Sequence, residues 1–214
     1  MGAREWLAQR LLGRAARAGL GLESEAGFTL GARLWGESER DRAPWDREQT
    51  IQQALEAWRG NPLARRIIEI TSQYAAGGVT LGCDHPATRR FLAELWDHPL
   101  NRLGARLLDW SDELARSGNL FVLLSTDPGG MSYLRALPAA AVKEIRAREN
   151  DLEQGLEIVL RPTGAELEER RIPIYDPLDP REGGPDYPVT ALHYAVNRPV
   201  GAQWGESDLA PILR

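Results

Sequence analysis

The chain has little of what builds disulfide frameworks, lysine-rich surfaces or membrane spans. Cys83 is the only cysteine among 214 residues, which excludes an intrachain disulfide and favours a reducing compartment. Lys143 is the only lysine, so arginine supplies nearly all of the positive charge. No apolar run approaches the roughly 20 residues of a membrane-spanning helix, and the first residues lack the apolar stretch of a secretory signal.

The overall composition is that of an ordinary globular protein, with 43% hydrophobic and 27% charged residues. The length allows one sizeable core or two small ones. A net charge of −5 argues against general affinity for nucleic acid, because phosphate binding requires a basic surface. Arginine in place of lysine favours bidentate pairs at subunit interfaces, although a coding bias accounts for it equally well.

The first 44 residues divide into a helix and an arm. Residues 3–18 have helical spacing, with an apolar face that includes Trp6 and an arginine-rich face opposite. Targeting presequences show the same pattern, but we favour the surface helix of an assembly protein. Residues 19–44 have no period, which predicts a flexible arm with Trp35 and Trp45 as docking points.

Four helices are predicted in the first half of the remaining chain. Asp46 and Asn61 are good caps, Pro62 suits a first helical position, and Gly118 suits a left-handed helix end. The second helix carries an apolar stripe along one side, from Leu63 to Tyr74 through Ile67 and Ile70. The predicted helices span residues 47–58, 62 to about 77, 86–96 and 101–116, and residues 79–81 are predicted as a short strand.

The second half predicts antiparallel hairpins. An apolar run at 120–124 predicts a buried strand, and the alternating residues 131–137 pair back onto it after a turn. The fold class is therefore α+β, with helices first. Further predicted elements are a short turn or helix at 139–142, strands at 156–160, 166–174 and 189–196, and a mobile loop at 176–188. One core is expected from Leu103, Leu107, Trp110, Leu114, Phe121 and Leu123.

The last residues have the pattern of a helix start. Ser207 is a good cap, and Leu209, Ile212 and Leu213 fall on one helical face. Before them, Gly201 and Gly205 predict a tight, exposed turn. We expect the front part of a longer assembly protein, divided into an N-terminal helix and arm (1–44), an α+β domain (45–198) and a turn with the start of a long helix (199–214).

The chain contains seven tryptophans but only three phenylalanines. Tryptophan is common both in cores and at interfaces. Trp58, Trp96 and Trp110 lie on helix faces with aliphatic neighbours, which predicts core positions. The others lie in or beside predicted arms and turns, and are better suited to contact another subunit. The interface candidates are Trp6, Trp35, Trp45, Gly201, Trp204, Gly205, Ser207, Leu209, Ile212 and Leu213.

The sequence holds only fragments of catalytic or metal-binding motifs. Cys83, His85 and His98 lack a fourth ligand at zinc-site spacing, and the acidic residues of 176–186 do not fit a calcium loop. His193 lies in an alternating strand without a nucleophile elbow, so it is interpreted as a hydrogen-bonded structural histidine. Asp112 and Glu113 are interpreted as surface charges. No catalytic, cofactor or metal site is predicted, and we expect a protein that is not an enzyme.

Five short segments, taken in order, resemble the portal proteins of tailed bacteriophages. Residues 61–68 resemble the Asn-Pro helix near the front of that family, and 98–101 resemble its Pro-Asn break, here with Leu100 inserted. Residues 117–122 resemble the Gly-Asn strand start, and 133–138 the strand end that follows. Residues 192–194 and 201–212 resemble a stretch with a histidine and a Gly-x-Ser turn.

The resemblance covers about residues 58–213, the outer wing region and the threshold of the stem, and implies a structural role. Portal subunits form a ring, usually of twelve, at one capsid vertex; the ring nucleates assembly and passes DNA without sequence-specific binding. Capsid and scaffolding proteins, terminase and the head-tail adaptor are the implied partners, in the virion and in the host cytoplasm during assembly. The alternative is a shortened or domesticated portal-like protein that acts alone as a binding or adaptor module.

Overall fold

A computed structural model of the chain describes residues 46–148, 151–162, 169–176 and 189–213. These residues form an α+β fold, in which four helices are followed by two antiparallel sheets of three strands each. The helices are α1 (Arg47–Gly60), α2 (Pro62–Ala76), α3 (Pro86–Asp97) and α4 (Leu103–Ser117). The strands are β1 (Asn119–Thr126), β2 (Ser132–Leu137), β3 (Val142–Arg148), β4 (Asp151–Leu160), β5 (Arg171–Pro173) and β6 (Val189–Ala195), with 3₁₀ turns at Ala139–Ala141 and Ala210–Ile212.

Helix ends follow the capping residues that the sequence offers. The Asp46 carboxylate accepts backbone N–H groups of the first turn of α1, and the Asn61 side chain does the same for α2. Both caps satisfy donors that a helix cannot pair internally. Gly118 ends α4 with φ +74°, a conformation that costs glycine little. The predicted caps Asp46 and Asn61 and the predicted left-handed end at Gly118 are confirmed.

The first sheet has β1 at its centre, between β2 and β6. The hairpin partner is confirmed, since β2 pairs with β1 from Phe121 opposite Leu137 to Thr126 opposite Ser132. The strand predicted near the end of the chain is β6, and it forms the other edge of this sheet. The first four residues of β1 are buried, so both faces of this half of the strand are covered, which suits its apolar run.

The second sheet has the order β3-β4-β5 and includes a strand that the sequence did not reveal. Charged residues interrupt the apolar ones in Val142–Arg148, so the sequence did not predict β3, although Val142 and Ile145 are buried in the core. β5 supplies three residues of the predicted 166–174 partner; residues 163–168 lie outside the described residues. A parallel bridge between Ile174 and Ala191 joins the two sheets. The strand predicted at 79–81 is wrong, since no strand forms there.

The single core expected between α4 and the hairpin is also wrong, because the described residues bury two separate clusters. The sheet cluster is centred on Phe121, Ile158 and Trp204, whereas the helix cluster contains Ile68 and Leu209. The leucines of α4 at 107 and 114, and the tryptophans of α1, α3 and α4, are only half-buried. No helix in the described parts of the chain is long and apolar enough to cross a membrane.

Candidate functional site

Three of the predicted interface residues, Trp6, Trp35 and Trp45, lie outside the described residues. The remaining seven lie in the segment after β6. Its path differs from the exposed turn and helix start that the sequence suggested.

Trp204 is a core residue, so the prediction that it lies exposed is wrong. Only 9% of it is accessible, and its ring meets Phe121 edge-on with 5.5 Å between centroids. The guanidinium carbon of Arg47 lies 4.0 Å from the centre of the same ring. The ring therefore packs between the sheet cluster and α1, and its apolar area stabilises this chain rather than a surface contact.

The final segment packs back onto the helices and does not begin an α-helix within the described residues. Leu209 is fully buried in the helix cluster, and its N–H donates to the buried Ser207 hydroxyl at 3.0 Å. Only a short 3₁₀ turn follows. Ile212 is 56% exposed, and Leu213 is half-buried against the helix cluster. The common helical face expected for the three apolar residues is therefore wrong, because Leu209 and Leu213 face the helix cluster whereas Ile212 faces solvent.

The segment is held by the side chain of Asn119, which is fully buried at the first position of β1. Its Nδ2 donates to Ser117 O at 2.9 Å and to Gly205 O at 3.0 Å. Its Oδ1 accepts from Gly205 N at 2.9 Å and lies 3.2 Å from His193 Nε2. We call Ser117, Asn119, His193 and Gly205 the Asn119 node. Every hydrogen-bonding atom of this buried amide has a partner, which offsets the cost of its burial.

The node fixes the tautomer of the neutral His193 ring. Because Asn119 Oδ1 can only accept, the His193 nitrogen that faces it carries the proton. The imidazole stacks on Phe121 with 4.5 Å between ring centroids. Burial, together with the positive charge of the nearby Arg198, lowers the pKa of His193 to about 4. The ring is therefore neutral near pH 7, as the interpretation of a structural histidine requires.

Gly118 and Gly205 allow the close approach on which the node depends. A Cβ on Gly205 would lie 2.2 Å from both Gly118 O and Val196 O. Val196 N donates to Gly118 O at 3.0 Å, so the three backbones pack directly against one another. Gly205 is thus a buried packing position, and the prediction of an exposed turn there is wrong. Gly201 has φ +78° and open space around its Cα, so it does form a turn.

A second buried asparagine, Asn101, joins the break before α4 to β2. Its Nδ2 donates to Leu95 O at 3.1 Å and to Ser132 O at 2.9 Å, and its Oδ1 accepts from Leu134 N at 3.1 Å. This side chain occupies hydrogen-bonding groups at an open edge of the first sheet. The sequence suggested only a helix start here, because a buried asparagine and a capping asparagine look alike in a single sequence.

Glu113 was interpreted as a surface charge, and the structure corrects this. One carboxylate oxygen accepts the N–H of Ala139 at 2.9 Å, and the other pairs with Arg116. The Arg116 guanidinium lies over the ring of Trp58, with 4.6 Å from its carbon to the ring centre. The carboxylate therefore links α4 to the turn after β2 and, through Arg116, to α1.

The apolar stripe of α2 contacts the helix cluster only through the half-buried Ile67. α2 buries Ala64 and Ile68 instead. Along the stripe, Leu63 is 67% exposed, Ile70 38% and Tyr74 87%. Large apolar side chains in a row on one surface are typical of an interaction site.

A cavity of about 230 Å³ lies beside His193, where the two sheets meet. Gln154 Nε2 donates to Asp176 Oδ2 at 2.8 Å at its wall. Further polar side chains of the lining are those of Glu153, Tyr175, Arg198 and Gln203. The described residues that line it include no serine, threonine or cysteine that His193 could activate.

The candidate zinc ligands have local structural roles in the described part of the chain. His85 Nδ1 accepts the N–H of Thr88 and so caps α3, and His98 contacts Tyr133 edge-on. No three side chains of His, Cys, Asp or Glu come together as a possible metal site among the described residues.

No protein-family model matches this chain, and no curated protein matches it significantly.

Proposed function

We propose that the chain is a structural subunit of a bacteriophage or prophage portal ring, the channel at a capsid vertex through which DNA is packaged and ejected. The observation that carries the proposal is the way in which the resembling segments meet. Segments 117–122, 192–194 and 201–212 share the Asn119 node, and segments 98–101 and 133–138 share the Asn101 contact. Residues far apart in the sequence thus form one framework.

Such a framework supports a structural role rather than catalysis. Every hydrogen-bonding atom of the two buried amides has a partner, so each amide fixes distances between elements and leaves no atom free to react. The resemblance is carried by these fold-determining residues, and a ring subunit needs a rigid body of this kind. Capsid protein, scaffolding protein, terminase and a head-tail adaptor are the proposed partners. DNA would pass through the channel without sequence-specific contact, which agrees with the net charge of −5.

Particle mass tests the proposal. The chain is expressed with any coding sequence that follows it in its genome, and mass photometry is carried out with and without the neighbouring capsid protein. We expect a closed ring of about a dozen subunits, since identical subunits that meet head to tail close into rings. Ile212→Glu should weaken the ring, because this exposed side chain is an interface candidate. Val200→Glu, at another exposed position, is the matched control.

The alternative, a portal-like adaptor or binding module that acts alone, is favoured by the exposed stripe of α2. The same measurement separates the two functions. A mass of one or two subunits under every condition would contradict the ring and leave the adaptor as the better proposal.

A further inference from the structure

We infer that the exposed stripe of α2 is a self-association surface, and that its occupant is the same stripe of a second copy of this chain. The stripe consists of Leu63, Ile67, Ile70 and Tyr74. Their spacing alternates between four and three residues, the spacing of a helix that packs along another helix. Leu63, Ile70 and Tyr74 are exposed, whereas Ile67 is half-buried against the helix cluster. Ile67 therefore lies at the border between the stripe and the face on which α2 buries Ala64 and Ile68.

The stripe is complementary to itself when two copies run antiparallel. With the two-fold axis between Ile67 and Ile70, each of these residues faces the other across the pair. Leu63 then lies opposite Tyr74 of the second copy, so a smaller side chain meets a larger one at both ends. The side chains thereby fill the contact between the two α2 helices, here called the seam, evenly along its length, as close packing requires.

The charges beside the stripe allow this pairing. In the antiparallel arrangement Arg66 lies beside Gln73 of the second copy rather than beside a like charge. Arg65 and Glu69 already pair with each other on the same helix, at 3.1 Å between Nε and Oε1. No like charges are therefore brought together along the seam.

The exposed area of the stripe determines how stable the pair of subunits is expected to be. Covering the three exposed side chains removes roughly 400 Å² of surface per subunit, about half of the 800 Å² that each partner buries in a stable interface. The pair should therefore be weak and dependent on concentration. A two-fold contact does not propagate around a ring, since a ring is closed by head-to-tail contacts. The pair would accordingly be a form of the free subunit, and the inference is independent of the proposed ring.

Sedimentation equilibrium of the full chain tests the inference across the range from low micromolar to near-millimolar protein. The wild type should move from the mass of one subunit to that of two. Tyr74→Glu and Leu63→Glu should raise the dissociation constant at least tenfold, because each places a charge in the apolar seam. Val200→Glu adds the same charge at a side chain that is 94% exposed and should leave the constant unchanged. Tyr74→Ser provides a milder variant if a charged one folds poorly.

Cross-linking tests the antiparallel register separately. In a Cys83→Ser background, a mixture of Leu63→Cys and Tyr74→Cys subunits should form a disulfide more readily than either variant alone. A chain that stays monomeric at near-millimolar concentration would overturn the inference, as would a pair indifferent to both charged variants. Protection of Tyr74 from hydroxyl-radical labelling in the dilute monomer would also overturn it, because the stripe would then be covered within its own chain.

Discussion

At the scale of single residues, Asn119 and His193 show how a buried polar group can determine a fold. The Asn119 amide is fully buried, donates twice and accepts twice. The neutral His193 ring completes this set of bonds. Removing a hydrogen-bonding group here is costly because its partners are backbone atoms that stay buried.

Asn119→Asp should therefore destabilise the chain by about 3 kcal/mol or more. The substitution keeps the shape and the acceptor, but replaces the donor to Ser117 O and Gly205 O with a charged oxygen. Chemical denaturation monitored by tryptophan fluorescence measures the loss. Gln73→Glu makes the same chemical change on an exposed face of α2 and should stay within about 0.5 kcal/mol. Equal effects from the two substitutions would contradict the role of the node.

His193 should make the chain sensitive to mild acid. In the unfolded chain the imidazole binds a proton below about pH 6.5, whereas in the folded chain it stays neutral down to about pH 4. Stability from this group is thus fully present near neutral pH and is lost as the pH falls through that window, by about 3 kcal/mol in total. Unfolding free energies at pH 7 and pH 4.5 measure the loss.

The variant His193→Gln should flatten this pH dependence, because its amide can donate to Asn119 without titrating. His85→Gln, at an exposed cap, should retain the wild-type slope. An unchanged slope in His193→Gln would assign the acid sensitivity to other groups.

At the scale of elements, the segment after β6 is held by a close contact between backbones. Gly205→Ala should cost at least about 3 kcal/mol, because its Cβ would overlap Gly118 O and Val196 O. Gly60→Ala is the control, since its Cβ meets nothing within 4 Å, and it should be neutral or stabilising by up to about 1 kcal/mol. Hydrogen exchange should show residues 196–213 unprotected in Gly205→Ala alone. Retained protection would show that the contact is dispensable.

Leu209 and Ile212 distinguish a packed segment from the start of an exposed helix. Leu209→Ala should cost about 2–4 kcal/mol, since the side chain is fully buried in the helix cluster. Ile212→Ala should change stability by less than about 0.5 kcal/mol. Thermal or urea unfolding of both variants provides the comparison. Similar losses would favour the apolar helical face that the sequence suggested.

Local signals predicted most of the elements. Caps such as Asp46, Asn61 and Gly118 predicted where helices begin and end, an apolar run predicted β1, and an alternating segment predicted β6. The missed strand β3 has charged residues at most outward positions, so it resembles a loop. The Asn119 node could not be predicted, because an asparagine shows its burial only when elements 86 residues apart meet. Trp204 was misplaced for the same reason, since its glycine neighbours suggest a turn and its partners lie on distant strands.

At the scale of the whole molecule, α1 connects the two clusters. Its Ala54 is buried in the helix cluster, whereas Ile51, one turn earlier, packs against the sheet cluster. Asn101 and Glu113 add polar links between the helices and the first sheet. The clusters should therefore unfold together.

Ile68→Ala in the helix cluster and Ile158→Ala in the sheet cluster should each cost about 2–4 kcal/mol, because both side chains are fully buried. In both variants, circular dichroism and tryptophan fluorescence should show one coincident transition at a lower denaturant concentration. Two separated transitions in either variant would show that the helices and sheets are independent units.

The strand order of the first sheet also matters during synthesis. After β1 has been made, its neighbour β6 follows roughly 60 residues later and Gly205 roughly 80 residues later, which at cellular elongation rates is about 3–16 s. Throughout that interval the nascent chain presents a central, apolar strand with one edge unpaired. Chaperone occupancy on the emerging chain should accordingly peak after β1 and fall once β6 and Gly205 have left the ribosome.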